Sequence, residues 1–181
     1  MDIYCGDAAF EADTVLRRAT LPWSMYESGT AVAAALEAAG ATLGANQRQP
    51  NGVDLTVEAV FEPVEPGFIG RTEKHVAERR ELRPVDGRYR LDPGTYVIRY
   101  GEPVRIPEGR VGFVYPRSTL LRNGAMLNTA VWDAGYEGVG EGRLHAGHPI
   151  ELEPDARIAQ LVLARADHDD TYDGSYQGEG L

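Results

Sequence analysis

The chain has 181 residues, 43% of them hydrophobic, and a formal net charge of −10. That length supports one well-buried core and is short for two. No run of about 18 apolar residues is available to span a membrane, and so acidic a chain lacks the basic face that nonspecific nucleic-acid binding requires.

Residues 1–24 carry no basic-then-apolar order of a secretory signal. They hold Cys5, the single cysteine, so no internal disulfide can form and a cytoplasmic setting fits. Nothing in them continues into a strand pattern, which marks them as a dispensable extension, with Met25 close to the start of the main domain. From Thr30 to Ala41 the run T-A-V-A-A-A-L-E-A-A-G-A predicts a helix with Ser28 as its N-cap. The remainder to Ala166 is a series of short apolar or alternating stretches, from V-D-L-T-V-E-A-V-F to R-I-A-Q-L-V-L-A. They are parted by P-G, D-P-G, I-P-E-G, H-P and E-P-D turns. That pattern predicts an all-β sandwich or barrel over residues 25–166.

Between Arg71 and Arg83, the run R-T-E-K-H-V-A-E-R-R-E-L-R reads as a solvated loop or short helix inserted between strands. It contains Lys74, the only lysine beside seventeen arginines. Few lysines and many acids suit a protein kept soluble in high salt, and GC-rich coding gives the same skew. His145 and His148 fall in a loop, L-H-A-G-H-P, and the four histidines and one cysteine show no zinc-like spacing. The tail from Asp167 to Leu181 is polar and glycine-rich like a mobile terminus, yet it carries Tyr172 and Tyr176.

Four motifs are weak singly. Q-P-N-G-V-D-L-T places Asp54 at the start of a strand, where it could be an ordinary turn acid. Y-P-R-S-T-L-L-R-N-G could in isolation be a strand entering a helix, with Ser118 as cap. N-T-A-V-W-D-A-G-Y-E-G sets one carboxylate, Asp133, between an apolar V-W pair and a glycine turn. D-A-R-I-A-Q-L could be a strand with Arg157 and Gln160 on its outer face. Taken in order and at these spacings, with Y-D-G-S-Y-Q-G-E at the end, they closely resemble the dUTPase and dCTP deaminase superfamily. The resemblance covers Ser28 to the C-terminus and is nearest to the archaeal-type dUTPases.

The resemblance implies a distorted, jelly-roll-like all-β barrel with a short N-terminal helix, assembled as a homotrimer with active sites at subunit boundaries. It implies hydrolysis of dUTP to dUMP and pyrophosphate with Mg2+, which limits uracil in DNA and supplies dUMP. By the same resemblance Asp133 is the catalytic base. Tyr136 packs against the deoxyribose and excludes a 2′-hydroxyl. Arg117, Ser118, Thr119, Arg122 and Gln160 contact substrate, the guanidinium by bidentate hydrogen bonds to phosphate. Asp54 holds the metal through water. Residues 167–181 form an arm that closes the site through Tyr172, Tyr176 and Gln177. Many deaminases carry a lysine where Ser175 stands here. Two alternatives remain: a dCTP deaminase or bifunctional enzyme, and a noncatalytic nucleotide-binding trimer. Deaminases place a glutamate about ten positions beyond the aspartate, where this chain has Arg143. Glu141 shares the strand face of Arg143 under a period of two, unless a bulge redirects it.

Overall fold

The computed structural model of the protein describes residues 24–181. The reading of residues 1–24 as an extension therefore lies, apart from Ser24, outside the described residues. Met25 already pairs with the core: Arg165 N–H donates to its carbonyl at 2.9 Å, and Tyr26 bridges antiparallel to Ala164.

Helix α1, Gly29–Ala38, begins at the expected cap, where Ser28 Oγ accepts from the Ala31 N–H at 3.3 Å. It stops three residues short of the predicted end. Gly40 takes a left-handed φ of 94°, and the N–H groups of Gly40 and Ala41 return to the carbonyls of Glu37 and Leu36, a Schellman closure. The buried Val32, Ala33 and Leu36 seat the helix on the sheet. Fully burying each large apolar side chain contributes roughly 1.5–3 kcal/mol, far more than alanine propensity alone.

The strands, in chain order, are β1 (Arg48–Gln49), β2 (Gly52–Pro63), β3 (Phe68–Ile69), β4 (Lys74–His75), β5 (Arg79–Leu82) and β6 (Tyr89–Leu91). Then come β7 (Gly94–Arg105), β8 (Arg110–Pro116), β9 (Ala125–Asn128), β10 (Glu137–Ala146), β11 (Ile150–Leu152) and β12 (Arg157–Arg165), with a short helix α2 (Ser118–Arg122) between β8 and β9. Pairings are antiparallel throughout, and the main sheet runs β8-β12-β2-β7-β10-β9. Strand β2 is the hinge of this order. Its first half pairs β12 through Val53–Thr56, its second half pairs β7 through Val57–Phe61, and both registers shift by a bulge near that switch. The sheet curls until Gly112 of β8 meets Trp132, just ahead of β10. Two backbone hydrogen bonds of 2.8 and 3.1 Å join them. The result is the all-β, barrel-like fold with a short N-terminal helix that the turn-and-strand pattern predicts.

The charge-dense run departs from its expectation. Part of it is strand: Lys74 and His75 form β4 in a hairpin with β3, and Arg79–Leu82 pairs with β2 as β5, while residues 71–73, 76–78 and 83 lie in the expected loops. Arg80 and Glu81 of β5 are exposed while Arg79 and Leu82 are half-buried. Charge at this position reflects an edge strand, which must not present an apolar face to a neighbouring chain. Local composition could not separate that from a solvated loop.

Candidate active site

The apolar lead-in to Asp133 is explained by packing. Trp132 is 7% exposed and lies across β10 at Gly140, where an added Cβ would fall 2.1 Å from its ring. It meets Tyr136 edge-on at 5.3 Å and Tyr100 at 6.2 Å. Fixed at the backbone by Gly112 and at the ring by β10, Trp132 anchors the residue that follows. Asp133 is exposed, and its carboxylate has no hydrogen-bond or ion-pair partner among the described residues. Gly135 then adopts φ 85°, letting the chain reverse so that the Tyr136 N–H reaches the Asp133 carbonyl at 3.2 Å.

Asp133 opens on a cavity of about 590 Å³ that Tyr136, Glu141, Arg79, Tyr172 and Tyr176 also line. Burial, followed by nearby Glu179, Tyr172 and Glu141, pushes the Tyr136 hydroxyl up to about 12, so it stays neutral at ordinary pH. Glu141 is held at both oxygens: Oε2 makes a short hydrogen bond with Arg79, and Oε1 lies 3.4 Å from Arg99. Arg143 shares the face of Glu141, as alternation requires, but is exposed and donates to Asn128 Oδ1 at 3.0 Å. The bulge between Val139 and Glu141 does not alter that alternation.

The tail is seated on this same segment of its own chain. Tyr172 N–H donates to the Ala134 carbonyl at 2.7 Å, and its ring meets Tyr136 edge-on at 5.5 Å. Gln177 Nε2 donates to the Gly135 carbonyl, the Gly178 N–H to that of Glu137, and the Val139 N–H to that of Glu179. Lys74 donates to Ser175 Oγ at 2.8 Å and sits 5.4 Å from the centre of the Tyr176 ring. Burial and the neighbouring Glu141 raise the Glu179 carboxyl above its ordinary 4.5, against the pull of Arg79 and Arg99.

A second cluster surrounds Asp54, which is 1% exposed. Its Oδ2 meets Arg117 Nε and Arg157 Nη1, each at 3.1 Å, and Gln49 Nε2 at 3.0 Å, while its Oδ1 is buried without a partner among the described residues. Burial raises its pKa more than the two guanidiniums lower it. Below it, the buried Glu102 accepts from Gln47 and from the Thr56 N–H and hydroxyl, fixing this end of β2. Gln160 is half-buried and pairs across from Asp54. Ser118 is not a cap: Arg117 occupies the cap position, makes no side-chain capping bond, and turns its guanidinium to Asp54. That leaves Ser118, Thr119 and Arg122 exposed on α2.

One chain does not bring the two clusters together. Trp132 is bonded at Gly112, whereas Arg117 follows the far end of β8, five residues on. At about 3.3 Å per residue that is roughly 16 Å. Sequence reasoning missed Arg79 and Glu179 in the first cluster and Arg157 beside Asp54. Arg79 was hidden in the charged run, and only its placement on an edge strand beside β2 could have singled it out.

The profile of the dCTP deaminase-like family matches residues 27–166. A protein of Halobacterium salinarum named probable deoxyuridine 5′-triphosphate nucleotidohydrolase is 50% identical over 161 residues, covering 86% of this chain and 95% of its own. One of the same name from Aeropyrum pernix is 45% identical over 137 residues, covering 74% and 86%. Among solved structures, a 2′-deoxycytidine 5′-triphosphate deaminase from Agrobacterium tumefaciens superposes with a TM-score of 0.62 at 18% identity. That match covers 78% of this chain and 48% of the other and concerns the fold. The chain belongs to the dCTP deaminase-like family.

Proposed function

We propose that the protein is a dUTP diphosphatase, hydrolysing dUTP to dUMP and pyrophosphate in a cytoplasmic homotrimer, and so limiting uracil in DNA while supplying dUMP. The observation that carries this is Asp133: an exposed carboxylate, unpaired among the described residues, on a rigid support at a cavity that Tyr136 also lines. Relatives up to half identical bear the corresponding name. Asp133 orients a water and takes its proton as the water oxygen attacks the α-phosphorus. The bridging oxygen then leaves with pyrophosphate. Tyr136 supports the deoxyribose. Arg117, Ser118, Thr119, Arg122 and Gln160 bind the phosphates, and because they lie apart from Asp133 on one chain, a neighbouring copy presents them. The arm, residues 167–181, closes the site through Tyr172, Tyr176 and Gln177 and keeps bulk water out.

Magnesium fits this site in a restricted way. Among the described residues no group of three or more His, Cys, Asp or Glu could cage a metal, so the nucleotide's phosphate oxygens would be its main ligands. Asp54, with one buried carboxylate oxygen lacking a partner among the described residues, suits a single contact through water. When bound, the ion neutralises phosphate charge.

Deamination is the weaker reading, because Glu141 is committed to two arginines and Arg143 stands at the position of the deaminase glutamate. A noncatalytic binder would have no use for Asp133. Incubation with dUTP and dCTP separately, with magnesium, decides among the three by identification of every product. Pyrophosphate and dUMP from dUTP, without ammonia from dCTP, support the proposal; ammonia release or no turnover contradicts it. Mixing inactive Arg117→Ala and Asp133→Asn proteins, after dissociation and reassembly, should restore activity if copies share the site. No recovery would place all the residues on one chain.

A further inference from the structure

The cavity beside Asp133 has an uneven charge pattern. Three carboxylates line it (Asp133, Glu141 and Glu179), and Arg79 is the one cation among its described lining residues. Such a wall repels a triphosphate and suits the neutral end of a nucleotide. Arg79 is also held rigidly. One nitrogen, Nη1, binds Glu141, and the guanidinium lies 5.0 Å from the centre of the Phe61 ring, which Arg99 contacts at the same distance. A guanidinium carries five N–H donors in a fixed plane. Those of Arg79 not spent on Glu141 have no acceptor among the described residues, although the side chain is only 24% exposed. Glu141, with both oxygens engaged by arginines, has little accepting capacity left for a ligand amine.

We infer that Arg79 is a specificity-determining residue that donates a hydrogen bond to the 4-oxygen of the pyrimidine, admitting 4-oxo bases and rejecting 4-amino ones; this rests on the cavity being the nucleoside pocket of the proposed enzyme. Uracil and thymine present an acceptor at position 4, whereas cytosine presents an amine donor. Donor facing donor leaves both buried groups unpaired, the arrangement by which polar sites discriminate most strongly.

The test uses the full chain with magnesium and three substrates: dUTP, dCTP, and a dUTP analogue with hydrogen in place of the 4-oxygen. Wild type should show kcat/KM for the analogue about ten- to a hundredfold below that for dUTP, the usual weight of a charged hydrogen bond. Arg79→Met should erase that gap and narrow the dUTP-to-dCTP preference by a similar factor. Equal wild-type kcat/KM for dUTP and the analogue would overturn the inference even if the variant does not fold. A folded Arg79→Met protein that still discriminates against the analogue would overturn it as well. Failure of wild type to release pyrophosphate from dUTP would instead refute the parent reading.

Discussion

Gly140 is the position where one methyl group tests how Asp133 is supported. A Cβ there would lie 2.1 Å from Trp132 Cη2 and within 2.9 Å of two further ring carbons. The ring must withdraw by about 1.3 Å to reach ordinary contact at 3.4 Å. It has little room, being 7% exposed, packed against Tyr100 and Tyr136, and tied to Gly112 through its backbone. Overpacking of this kind costs about 1–3 kcal/mol, which for a domain of this size lowers the melting temperature by about 2–12 °C. The displacement falls on the residue next to Asp133, and misplacing a reacting group by about 1 Å costs on the order of a hundredfold in rate. Gly140→Ala should therefore lower both melting temperature and pyrophosphate release from dUTP, measured on the same preparation. A variant with wild-type turnover would show that Trp132 does not position Asp133.

Deleting the tail from Thr171 onward should cut turnover sharply while the melting temperature changes little. Its contacts are mostly backbone hydrogen bonds plus Tyr172; unchanged kinetics would remove the closing role. Chelation of divalent ions should abolish turnover without unfolding, since no protein cage for a metal is present among the described residues. Unfolding on chelation would reveal a structural metal. The raised pKa of Glu179 makes tail docking pH-dependent. The docked form holds the proton more tightly, so docking is strongest below about 4.5 and weakens as pH rises through the raised value. An NMR titration following the Val139 amide, which donates to the Glu179 carbonyl, should show the contact loosening with rising pH, and strengthening would contradict the assignment.

Much of the fold was legible because its signals are local. Ser28 and the alanine run mark α1, although its end falls before Gly40 rather than at Ala41, and short apolar stretches parted by Pro and Gly turns give the strands. Taken alone, a serine after a strand is an ordinary cap signal, yet the cap position falls on Arg117, whose guanidinium meets the buried Asp54. Arg79 and Glu179 were illegible for a different reason. Their role depends on β5 and the tail converging on β10, and no local pattern encodes a contact between residues that far apart in the chain. The separation of the Arg117 and Asp133 clusters is likewise a property of the curled sheet.

The most direct test of the central claim is single-turnover pyrophosphate release from dUTP by Asp133→Asn beside wild type. Binding of a nonhydrolysable dUTP analogue is measured in parallel. The amide keeps the shape of the side chain and loses its basicity, so the rate should fall by about two to four orders of magnitude. Analogue affinity should hold or improve, because a negative charge at the cavity mouth is gone. An Asp133→Asn protein that releases pyrophosphate at the wild-type rate would contradict the account.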